Sequence, residues 1–210
     1  MARDPRKQQE KAMKKRRKKK EAAKSQNQTT GLAALSARAL VRNARKFPIS
    51  ACYISQDWQH SVTELVQIAV ARQQPDGGIT FGVYLVDMLC LGLKSTFCNG
   101  GFTAGEFRLS VLGKLEEAMP MESCPPELAH QIIYQAIDYA AQFGIKPDKD
   151  FKLSQLVLEP RGELPETYHL TFGKDGKPFF VAGPYDNVQA IVAKLEATAG
   201  PGNYEVMAMF

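Results

Sequence analysis

Asp87 is the residue of this sequence most suggestive of chemistry, because it interrupts the apolar run Val83–Leu91. A carboxylate in a central strand costs free energy unless it is paired, ligated or placed at the end of the sheet. Joined by Asp138, Asp148 or Asp150, it would form the acidic core of a metal-dependent hydrolase, in which the ion polarises the substrate and activates water. The other readings are that Asp87 faces solvent, or pairs with Lys94 or with an arginine from the N-terminal region. The three histidines offer less. Asp57 and His60 form a dyad only if they share a helical turn, and no second histidine lies close enough for a zinc site by local spacing. His130 falls off the apolar stripe of its helix and His169 alternates within a strand, so both read as structural. Cys98 beside Asn99-Gly100-Gly101 sets a thiol next to flexible backbone amides, as a cysteine hydrolase requires, but a glycine-rich turn after a strand is the commoner meaning.

The segment Pro147-Asp148-Lys149-Asp150-Phe151-Lys152 superficially resembles the Pro-Asp…Asp/Glu-x-Lys pattern of the restriction-endonuclease-like nucleases. That family separates its two acidic elements by many residues and places the second on a strand. Here they touch, in what reads as an ordinary turn. Phosphate-binding, dinucleotide, nucleophile-elbow and zinc-protease signatures do not occur, and no cofactor is expected. Cys52, Cys90, Cys98 and Cys124 form no Cys-x-x-Cys pair, and Cys52 and Cys90 sit in apolar runs as small buried hydrophobes. The N-terminus lacks the apolar stretch of a secretory signal, and no run reaches the ~18 apolar residues of a membrane-spanning helix. The expectation is a reduced, cytoplasmic protein (nuclear if eukaryotic) with no integral membrane association.

Charge distribution carries more information than any motif. The 210 residues have a net charge of +5, but residues 1–46 hold 16 Lys and Arg against 3 Asp and Glu, and residues 47–210 hold 11 against 19. A +13 arm is thus joined to a −8 body. Lys14, Lys15, Arg16, Arg17, Lys18, Lys19 and Lys20 are consecutive. With almost nothing apolar beside them, self-repulsion favours an extended, fluctuating arm over residues 1–30. Thr30 caps a basic amphipathic helix, expected over residues 31–47, in which Arg38, Arg42 and Arg45 share one face. Such a segment displaces condensed counterions from RNA or DNA, electrostatically and without sequence specificity. It contains no aromatic residue for base stacking.

Elements able to position these groups follow from periodicity. Strands are expected at Ala51–Ser55, Leu65–Arg72, Ile79–Cys90 and Leu93–Phe97, with Pro75-Asp76-Gly77-Gly78 as a hairpin turn and Cys98-Asn99-Gly100-Gly101 ending the sheet. In the third strand Ile79, Phe81, Val83 and Leu85 oppose Thr80, Gly82 and Tyr84. Thr103 and Glu106 form a capping box before Leu109, Leu112, Leu115 and Met119. A second helix begins at Pro125-Pro126, with Leu128, Ile132, Ile133, Ala136, Ile137 and Ala140 as its stripe. A strand at Leu153–Leu158, a hairpin of Tyr168–Phe172 with Phe179–Ala182, a helix capped by Asp186 or Asn187, and a strand within Tyr204–Phe210 complete the order. The fold class is α+β, mainly antiparallel sheet with three or four packing helices behind a basic flexible N-terminal arm. The acidic body, 48–210, divides into subdomains 48–146 and 147–210 if it divides at all. The function this implies is a non-catalytic, nucleic-acid- or ribosome-associated protein whose body presents a surface to a protein partner. The alternative is the Asp87 hydrolase.

Overall fold

The computed structural model describes residues 37–59 and 65–208. The chain divides between Ala39 and Leu40, and the sheet, helices and core belong to the second unit. Five antiparallel strands form the main sheet: β1 (Ile49–Ser55), β2 (Leu65–Gln73), β3 (Ile79–Asp87), β4 (Gly92–Phe102) and β5 (Met121–Ser123), in the order β4-β3-β2-β1-β5. The β2–β3 turn forms where Asp-Gly requires it. Gly77 has φ 84° and the Asp76 carboxylate accepts from the Gly78 amide at 3.0 Å.

Alternation along β2 and β3 divides side chains between two helical layers rather than between core and solvent. Ala69, Ala71, Ile79, Phe81 and Val83 pack beneath α1 (Ala104–Phe107), a π-helical turn (Arg108–Leu112) and α2 (Gly113–Ala118). Ile68, Val70, Tyr84 and Val86 pack on the opposite face beneath α3 (Pro126–Ala141), which buries all six residues of the expected stripe or packs them at its far end. The Thr103–Glu106 capping box is present and opens α1. Beyond it the π turn adds a residue to the helical repeat. Phe107, Val111 and Leu112 therefore face the sheet, whereas Leu109, expected on the stripe, is 79% exposed.

Four local expectations change. Cys98-Asn99-Gly100-Gly101 lies inside β4, where Gly101 (φ 83°) is the extra residue of a bulge opposite Ile79 and Thr80. The strand expected at Leu153–Leu158 is instead α4 (Phe151–Ser154) followed by turns. Its carbonyls are taken by side chains and not by a ladder: Tyr84 donates to Ser154 O (2.8 Å), Arg45 to Gln155 O (3.0 Å) and Leu158 O (2.9 Å), and Arg72 to Val157 O (2.5 Å). Residues 168–172 form no strand, because the Gln131 amide of α3 engages both the N–H and the carbonyl of Tyr168. The partner of β6 (Phe179–Ala182) is β7 (Glu205–Ala208), in parallel, across α5 (Val188–Thr198). Asn187, rather than Asp186, accepts from the Ala190 amide to cap α5. This β-α-β unit rests on its own cluster, including Cys90, Leu91, Ala140, Phe180 and Leu195. No described helix is long and apolar enough to cross a membrane.

Candidate functional site: an acidic cavity beside a bulged strand

Asp87 closes β3 and is only 3% exposed. One carboxylate oxygen accepts from the Leu89 and Cys90 amides, both at 2.9 Å, so the residue caps the turn into β4. Burial pushes its pKa up to about 6, against the pull of the Cys90 and Leu89 N–H groups and the Lys94 charge. The carboxylate thus sits at the end of its strand, the placement that makes burial tolerable.

Asp87 borders a cavity of about 630 Å³. Leu65, Leu85 and Ser95, from three adjacent strands, line it together with Val181, Pro184, Tyr185 and Asp186 from β6 and the turn before α5. Asp148 completes the wall and is held there by its amide, which donates to Leu93 O of β4 at 3.1 Å. The position of Lys94 follows from register. Leu85 opposes Ser95 and Val86 opposes Leu93, so Lys94 is the extra residue of a bulge, the device that re-aims a side chain out of strict alternation. Lys94 and Ser95 both line the cavity as a result. The Lys94 ammonium donates to Asp186 at 2.8 Å, and the same Asp186 oxygen accepts from the Gly183 amide at 2.9 Å. Three carboxylates and one ammonium therefore meet around a volume typical of small-molecule pockets, ~300–1,000 Å³.

Of the carboxylates expected beside Asp87, only Asp148 reaches the same cavity. Asp138 pairs with Arg161 at the exposed surface (2.6 Å), and Asp150 lies outside the lining. Among the described residues no group of three or more His, Cys, Asp or Glu side chains is arranged to hold a metal ion. Asp186, the partner of Lys94, had no local signal, because the two are 92 residues apart.

Among the remaining candidates His130 has a structural role. His130 is buried, with its Nδ1–H donating to Pro126 O and its Nε2 accepting from the Glu159 amide, both at 2.7 Å. That pairing fixes the neutral tautomer, and burial lowers its pKa. His169 is exposed, and His60 lies outside the described residues. Burial pushes the Cys52, Cys90 and Cys124 thiols up to about 12, which disfavours the thiolate form. Lys14, Lys15, Arg16, Arg17, Lys18, Lys19 and Lys20 also lie outside the described residues. Arg38 and Arg42 are exposed on a helical stretch at 37–42. Arg45 follows on a 3-10 turn, Ala44–Lys46, with two guanidinium nitrogens bound to the carbonyls of Gln155 and Leu158. No protein-family model, curated protein or solved structure matches this sequence.

Proposed function

We propose that this chain is a nucleic-acid- or ribosome-associated protein that engages phosphate backbones through its cationic N-terminal residues, with the folded body serving a separate binding role. The observation that carries the reading is the +13/−8 division of charge at residue 46. The body's net charge of −8 opposes a phosphate surface, and four of its eleven Lys and Arg are held in ion pairs. Arg72, Lys94, Arg161 and Lys174 are in ion pairs with Glu159, Asp186, Asp138 and Glu205. Phosphate affinity therefore belongs to Lys14–Lys20 together with Arg38 and Arg42, and Arg45 contributes less because its guanidinium is engaged internally. An acidic body beside a basic segment also limits how closely a polyanion approaches the sheet, which suits a tether more than a groove. The test is the salt dependence of duplex RNA binding, compared with a full-length variant in which all seven residues of 14–20 are Gln. Loss of both affinity and salt slope in the variant supports the reading, and unchanged binding overturns it. A metal-dependent hydrolase is the weaker reading, since Asp87 caps backbone amides and, of its expected partners, only Asp148 reaches the same cavity.

A further inference from the structure

We propose that the cavity between the Asp87 end of the main sheet and the turn 183–186 binds a small organic cation, a primary ammonium carried on a short apolar chain. Size, charge and wall chemistry each point there. The volume of about 630 Å³ accommodates a small ligand and exceeds what packing defects leave, since voids larger than a water molecule are few in a folded core. The lining contains Asp87, Asp148 and Asp186 against the single ammonium of Lys94, which already pairs with Asp186. Above the pKa of Asp87 the lining thus carries a net charge of about −2, with one Asp87 oxygen accepting from the Leu89 and Cys90 amides and one Asp148 oxygen from the Asp150 amide. An anionic ligand would have to displace Asp186 from Lys94 and face Asp87 and Asp148, whereas an ammonium is attracted by both.

Leu65, Leu85, Val181 and Pro184 supply the apolar walls that a short alkyl chain would cover, and Tyr185 stands 98% exposed at the rim. Construction of the site is also deliberate in the physical sense. The bulge at Lys94 turns that side chain into the cavity, and Asp186 is held by both Lys94 and the Gly183 amide. The acidic groups are thus fixed before any ligand arrives, which lowers the entropic cost of binding. The inference concerns residues of the body only, so it stands or falls independently of phosphate binding by the N-terminal segment.

Calorimetric titration of the full chain at pH 7.5 with hexylammonium, hexanoate and hexanol tests it. Hexylammonium should bind, and hexanoate and hexanol should bind at least ~5-fold more weakly, the size of one partly exposed charge interaction. Asp148→Asn should weaken hexylammonium by about 5-fold without altering the fold, because Asp148 is partly exposed. Leu85→Trp, which fills the cavity from its floor, should abolish binding in protein whose circular dichroism is unchanged. If that variant does not fold, Asp148→Asn alone decides. Hexylammonium that does not bind, that binds no better than hexanoate, or that is insensitive to Asp148→Asn overturns the proposal.

Discussion

At Asp87 and Arg72 the sequence places charges where a core would normally exclude them, and each is stabilised in a different way. Asp87 keeps its burial tolerable by capping two amides. Its folded carboxyl releases its proton near pH 6, against an ordinary value of 3.8. A raised folded pKa means that the carboxyl's contribution to stability is complete below 3.8 and is lost as pH rises through about 6. Asp87→Asn carries no such titration, so its stability relative to the native chain should increase by roughly 2 kcal/mol between pH 4 and pH 7.5, read by urea denaturation. His130 works in the opposite sense, since its lowered pKa gives stability that is present above its ordinary value of 6.5 and lost as pH falls. A decline in Asp87→Asn as pH falls through 6.5, above the range in which Glu106 titrates, has the sign expected of His130.

Arg72 is 1% exposed and donates to Phe47 O (2.6 Å) and Val157 O (2.5 Å), while its last nitrogen lies 2.8 Å from Glu159. Arg72→Ala leaves two carbonyls and a carboxylate unpartnered and should cost about 3–5 kcal/mol in urea denaturation, with Arg72→Lys failing to restore the loss because one ammonium cannot span the three acceptors.

At the scale of elements, legibility tracked how local the deciding interaction is. The capping box at Thr103 and Glu106, the Pro126 helix start, the Asp76-Gly77 turn and the core stripe of α3 depend on neighbours within four residues, and all were readable. The apolar residues of segment 153–158 suit a strand, but its backbone is decided by donors far away in sequence, Arg45, Arg72 and Tyr84. The π turn has no local signature for a related reason. A helical stripe drawn through Leu109 and Leu112 presumes 3.6 residues per turn, and one inserted residue sends Leu109 to solvent. Asp87 was recognisable as a polar interruption, but the cavity around it comes from Lys94, Asp148 and Asp186, which only the tertiary fold assembles.

Gly92 shows how tightly that assembly is fixed. It has φ 66°, and a Cβ there would lie 2.6 Å from the Ala136 carbonyl of α3. Gly92→Ala should destabilise the fold by ~2 kcal/mol or more in urea denaturation, combining left-handed strain with displacement of the helix from the sheet.

For the whole molecule, the charge division orders everything else. The body buries a two-sided sheet and keeps four of its cations in ion pairs, so its surface field is set by its excess of carboxylates. The division also sits close to a structural boundary without coinciding with it. Val41 and Ala44 are buried in the main core, so the cationic region cannot be removed at residue 46 without opening that core. Neutralising side chains in the intact chain is therefore the appropriate perturbation. The most direct measurement is the affinity for a random-sequence RNA duplex across a salt series. With ~6 phosphates neutralised, log K should fall against log salt with a slope near roughly −5, and Gln at all seven positions of 14–20 should remove most of that slope and of the affinity at low salt. A salt-independent affinity, or a seven-Gln variant that binds as tightly as the native chain, would contradict the account.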